Sequence, residues 1–162
     1  MDDAGFRTLV KTDLYQVFLF TCPASLPISF AAHPWFVVNK KGALSRWEIF
    51  WKQEKEWRAR WGYLHGDFYP PFQGIPIFYP SERFHWQRLH LRGMVEGSEG
   101  SDAQRMADLI EASPQNYPYR DEYSFFGPNS NTYAQWAIDH SPGCGLELPW
   151  NAFGKGYNGH ST

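Results

Sequence analysis

Only two cysteines, Cys22 and Cys144, occur among the 162 residues. That excludes a paired-cysteine zinc site, limits any disulfide framework to one bridge, and fits a reducing compartment. Neither sign of charge is in excess. The 15 Lys+Arg against 17 Asp+Glu leave a formal net charge of −2, so no overall pull toward nucleic acid or an anionic membrane exists. Long apolar runs are missing as well: none approaches the roughly 18 residues of a membrane span. Val17 to Phe20 is too short for the apolar core of a signal peptide, and the start, Met1-Asp2-Asp3, is acidic where a signal would be basic. A cytoplasmic protein with neither a nucleic-acid partner nor a membrane span is expected. No phosphate-binding glycine fingerprint is present, since Gly154-Lys155-Gly156 lacks the upstream glycine and the following Ser or Thr. Internal repeats and low-complexity tracts are also lacking.

What the chain has in abundance is rings. Trp, Tyr and Phe number 8, 9 and 13 and make up 19% of the residues, while the hydrophobic fraction is only 43%. Aromatic side chains bury large areas against few partners, which suits a β-containing domain with a lined cleft. The length fits one domain over residues 1–162, with the N-terminal ~12 and C-terminal ~6 residues as flexible ends.

Leu14 to Phe20 reads as a strand, and Trp35 to Asn39 and Ala43 to Trp51 as two more joined by Lys40-Lys41-Gly42. The segment Arg46 to Arg60 also approximates helical spacing, so a shorter strand followed by a helix is the alternative. Lys52 to Arg60 mixes both signs of charge, as a solvated face does. Gly62 to Pro80 is a long aromatic loop, and Arg83 to Met94 alternates like a strand. Ser101 opens a helix through an S-x-x-Q capping box with Gln104, and Ser130 to about His140 forms a second.

Asn129 is the natural N-cap of that second helix. Ser130 then stands at its first position, beside unpaired N–H groups and the positive end of the dipole, where a hydroxyl is well placed as a nucleophile and the N–H groups as oxyanion donors. By spacing alone the plainer role, a capping cluster of Asn129, Ser130, Asn131 and Thr132, is favoured. In the hairpin, a tight turn with Asn39 opposite Gly42 sets Val38 against Ala43, Trp35 against Arg46 and His33 against Glu48. Opposed residues share a face, so Glu48 would orient the His33 imidazole. A surface His near a surface Glu is the bland alternative. His85 and His90, five apart on a strand, point to opposite faces and make poor joint metal ligands. His65-Gly66-Asp67 is read as a packed loop, and His140 as a partner of its helix C-terminus.

His33-Pro34-Trp35-Phe36-Val37-Val38, Arg46-Trp47-Glu48, Trp61-Gly62-Tyr63, Tyr117-Pro118-Tyr119-Arg120-Asp121 and above all Gly127-Pro128-Asn129-Ser130-Asn131-Thr132-Tyr133 resemble a bacterial family known as a domain of unknown function with a GPNSNT[FY] signature. More distantly the order of elements is similar to the circularly permuted papain-like hydrolases and acyltransferases, an NlpC-like group that includes lecithin:retinol acyltransferase and the PPPDE peptidases. In that group a strand-borne His comes first, a polar orienting residue follows on the next strand, and the nucleophile opens a later helix. The resemblance implies His33 as base, Glu48 as orienting residue and Ser130 as nucleophile, flanked by Asn129 and Asn131; the Ser130 N–H and a neighbouring donor, Asn131, are expected to receive the oxyanion. Ser130 stands where the group has Cys, which leaves either a Ser-dependent enzyme or an inactive descendant.

The expected fold is therefore α+β, an antiparallel sheet packed against a nucleophile-bearing helix in a permuted papain-like architecture. The expected activity is hydrolysis or transfer of an acyl group from an amide, ester or peptide. Trp35, Trp47, Trp61, Tyr119 and Tyr133 are expected to line the cleft around a small-molecule, peptide or lipid-like substrate, and neither a metal nor an organic cofactor is required. The alternatives are a catalytically inactive binding module that keeps the aromatic-lined cleft, and an interaction domain with no small-molecule site.

Overall fold

The structure, a computed structural model, describes residues 3–51, 60–78 and 86–159. The mixed-charge stretch from Lys52, the helical alternative beyond Trp51, the start of the Arg83 strand, His85 and the outermost chain ends lie outside the described residues.

In chain order the elements are α1 (Asp3–Arg7), β1 (Tyr15–Pro23), β2 (Ala32–Lys40), β3 (Ala43–Ile49), β4 (Arg60–Trp61), β5 (Leu64–Gly66), β6 (His90–Gly97), α2 (Asp102–Glu111), α3 (Ser113–Asn116) and α4 (Ser130–Asp139). The six strands form one antiparallel sheet in the order β4-β5-β3-β2-β1-β6. The fold is α+β.

The two central strands are rich in rings and branched chains, and nearly every residue in them is buried because both sheet faces are covered. Alternation divides them. Val17, Leu19, Phe36, Val38, Trp47 and Ile49 meet α2 and α4 through Met106, Ile110, Tyr133 and Ala137. The intervening residues Phe18, Phe20, Trp35 and Val37 meet Phe6, Phe50, Tyr69, Phe72 and Ile75 on the other face. This second core is mostly aromatic: the Phe20 and Trp35 rings stack at 5.6 Å, and Phe6 sets its edge on Phe20 at 5.0 Å. The N-terminal stretch is thus anchored by a buried Phe6.

The hairpin turn differs from the expected one. Lys40 pairs with Ala43 and Phe36 with Trp47, so the turn residues are Lys41 and Gly42, both at positive φ (51° and 96°). This is the geometry of a two-residue turn matched to strand twist. The Asn39 side chain accepts the Gly42 N–H at 2.8 Å and fixes the turn. Every expected pairing moves by two positions, so Val38 faces Ser45 and Val37 faces Arg46. A shift of two preserves the side of the sheet, and His33 and Glu48 remain on one face, now as diagonal neighbours.

At the Arg83 segment the strand begins later than expected, at His90, and Trp86 makes only an isolated bridge to Pro76. The Ser101 cap is present: its hydroxyl accepts from Gln104 N–H, and the Gln104 side chain returns to the Gly100 N–H. Among the described residues no helix is long and apolar enough to cross a membrane.

Candidate active site

Three side chains on the aromatic face of the sheet form a buried hydrogen-bonded cluster. His33 Nε2 lies 2.8 Å from Glu48 Oε2. The Arg46 guanidinium donates from Nη2 to the same oxygen at 2.9 Å, and its Nε sits 2.8 Å from Oε1. Arg46 and Glu48 are 0% and 1% exposed, so each depends on the other to remain charged. The Arg46 Nη1 also donates to the carbonyls of Pro70 (2.8 Å) and Gln73 (2.5 Å), and its guanidinium lies over the Trp35 and Tyr69 rings. Burial alone would raise the Glu48 carboxyl. The Arg46 charge and the bonds from His33 and Arg46 outweigh it and hold the group down at about 2. Glu48 is an anion at neutral pH and holds the His33 ring through Nε2. Phe50 meets the imidazole edge-on at 5.8 Å.

Ser130 comes from the helical layer. Asn129, in extended conformation, accepts the Asn131 and Thr132 N–H groups on its side-chain oxygen, and Thr132 returns its hydroxyl to the Asn129 N–H. The other end of the Asn129 carboxamide donates to the carbonyls of Ser124, Phe125 and Phe153. Gly154, at φ +89°, packs so close that a Cβ there would meet Asn129 Nδ2 at 2.5 Å. The Asn131 side chain donates to Ala32 O (3.0 Å) and Phe153 O (2.9 Å). It therefore ties the helix start to the residue before His33. The Ser130 N–H is the first-turn donor that the cap does not take up, and the 6% exposed Ser130 sits directly at the helix mouth.

The sheet and helix layers meet at the start of β2. There His33, Asn129, Ser130 and Asn131 share the wall of a cavity of about 30 Å³, room for a group the size of one water. A second, larger cleft of about 430 Å³ adjoins it and shares His33, Ala24, Ile28, Tyr123 and Phe125 with the first.

The five rings expected to line the cleft lie elsewhere. Trp35 is fully buried beneath Arg46 and donates its indole N–H to Pro71 O. Trp47 and Trp61 stack on each other at 5.8 Å against the helix-side core. Tyr133, one turn into α4, points into that core and shares a hydrogen bond with Ser113. Tyr119 lines a different cavity behind α4. Alternation and helical pitch carry the neighbours of site residues away from the site. The rings at the cleft are Phe50, Trp51, Tyr123 and Phe125, brought from distant segments by the fold. Arg46 went unremarked in the sequence as a site residue, although its place two residues before Glu48 on a strand puts both on one face.

Of the remaining candidates, Cys22 is paired with His33 across the β1–β2 ladder, but burial pushes its thiol up to about 12, which leaves it protonated and unreactive. Asp67 accepts the Arg46 backbone N–H at 2.7 Å and so closes the β3–β5 connection. His140 Nδ1 lies 2.8 Å from the Trp136 carbonyl in the last turn of α4.

An α+β domain in which a buried Arg-Glu-His cluster and the capped start of a helix wall one small cavity is the class of site at hand. The family whose sequence model covers residues 15–157 is described as protein of unknown function (DUF3750), and the chain belongs to it. No curated protein and no solved structure matches the chain.

Proposed function

We propose that the chain is a serine-dependent hydrolase or acyltransferase acting on an ester or amide, with a permuted papain-like arrangement of its parts. One observation carries this reading: Ser130 at a helix N-terminus and His33, pinned through Nε2 by a buried carboxylate, wall the same small cavity. In the reaction, His33 Nδ1 takes the Ser130 proton as Oγ bonds to the carbonyl carbon. The resulting oxyanion faces the Ser130 N–H and the positive end of α4. The carbon–leaving-group bond then breaks, and the leaving group takes the proton from His33. Water, or an acceptor alcohol or amine, attacks the acyl-enzyme and loses its proton to His33 as Ser130 departs with one. Glu48 stabilises the transient imidazolium, and Arg46 holds Glu48. The Asn131 carboxamide, occupied by two carbonyls, positions the helix start rather than receiving the oxyanion.

A fluorophosphonate probe should label wild-type protein at Ser130, as read by peptide mass spectrometry, and Ser130→Ala should lose the label. His33→Ala should slow labelling by about 10²-fold or more. A folded wild-type protein that takes no label from pH 6 to 9, yet still binds ligands in the cleft, would identify the non-catalytic binding module instead.

A further inference from the structure

The cleft that opens outward from His33 has no Lys, Arg, Asp or Glu in its wall among the described residues, and many of its backbone and side-chain polar groups are already engaged. Ser25 donates its hydroxyl to Pro76 O at 2.6 Å. The backbone N–H groups of Ala24, Leu26 and Ile28 are bound by Ala31 O, Ile77 O and Ser25 O, Pro27 has none to give, and Phe50 N–H is held by Tyr63 O. The Ile75 carbonyl accepts from Gln87. A peptide needs backbone partners along such a groove, and a sugar needs polar side chains that grip its hydroxyls; this wall provides few of either. It offers instead aliphatic and aromatic surface, and at its mouth Leu26, Trp51 and Tyr123 stand 44%, 47% and 37% exposed. At about 430 Å³ the cleft is within the range of small-molecule sites, roughly 300–1,000 Å³.

Resting on the proposed acyl-transfer reading, we infer that the cleft takes an uncharged acyl chain of medium to long length. Its carbonyl would reach the small cavity at Ser130 and its tail would run out past Phe50 and Leu26. The protein is then an acyl-ester or acyl-amide hydrolase or transferase selective for fatty acyl groups. The leaving group departs on the solvent side.

p-Nitrophenyl esters of acetate, butyrate, octanoate and dodecanoate, kept below their micelle concentrations, test this. With water as acceptor each gives the free acid and p-nitrophenol, and kcat/KM should rise about fourfold per added methylene over the first several carbons, following about 0.8 kcal/mol per buried CH₂. Leu26→Glu, which sets a charge at the mouth, should lower the dodecanoate-to-acetate ratio at least tenfold. Wild type that labels at Ser130 but hydrolyses acetate as well as or better than dodecanoate overturns the inference and leaves the serine chemistry standing. Dodecanamide binding to Ser130→Ala protein, followed by tryptophan fluorescence, provides the separate arm. Affinity that grows with chain length supports the cleft even if no ester is turned over, and the lack of any binding by dodecanamide rejects it.

Discussion

A carboxyl group as deeply buried as that of Glu48 would ordinarily take up a proton. It stays ionised because Arg46 touches both its oxygens and His33 shares one of them. With its carboxyl at about 2 in the folded chain and 4.5 as its ordinary value, the group binds protons more tightly when unfolded. Its stabilisation is complete above about pH 4.5 and is lost as pH falls toward 2, an effect of roughly 3 kcal/mol. Urea unfolding at pH 6 and pH 2.5 should show that loss in wild type and a clearly smaller one in Glu48→Gln; equal losses in both would assign the acid sensitivity to other groups. The pair His33 and Glu48 was legible in the sequence because strand alternation tolerates a two-residue error in register. Arg46 was not, since a strand arginine looks like an exposed residue until the Pro70 to Gln73 loop folds over it.

At the scale of elements, the start of α4 is the best-braced point near the site. Asn129 accepts two N–H groups of the first turn and gives its amide to three carbonyls from two loops. Asn129→Ala should therefore cost about 2 kcal/mol, the upper end for loss of an N-cap, because buried carbonyls are orphaned along with the helix end. Gly154→Ala should be destabilising too, since its positive φ and its closeness to Asn129 leave no space for a methyl. Thermal melts followed by circular dichroism read both, and a shift of less than 2 °C in either variant would contradict the bracing. The cap was readable from Asn-Ser-Asn-Thr before a Tyr-Ala-Gln-Trp helix. The hairpin turn was not, because Lys40-Lys41-Gly42 does not reveal that a lysine as well as the glycine adopts positive φ.

For the whole molecule, one sheet serves two cores. The helix-side core closes over Met106 and Ile110, the loop-side core over Phe6 and Phe72, and β1 and β2 contribute alternate residues to each. Damage to either should travel through the shared strands. Ile110→Ala should lower stability by about 2–5 kcal/mol and Phe72→Ala by about 3–5 kcal/mol, and calorimetry of each variant should show a single transition; two separate peaks would mean that the cores melt independently. The aromatic excess that marked the composition is divided between the two cores, with Phe6, Phe20, Trp35 and Phe72 among the rings on the loop side and Phe36, Trp47, Tyr117 and Tyr133 on the helix side. The cleft rings, by contrast, were hidden from sequence reasoning because Phe50, Trp51, Tyr123 and Phe125 become neighbours only after the strands and the C-terminal loops are in place. The arginine that props Glu48 also clasps the Pro70 and Gln73 carbonyls. On the proposed acyl-transfer reading, a chain whose aromatic loop has not settled lacks a properly set base as well, so an unfinished molecule would be silent rather than indiscriminately reactive, and turnover would itself be a certificate that folding is complete.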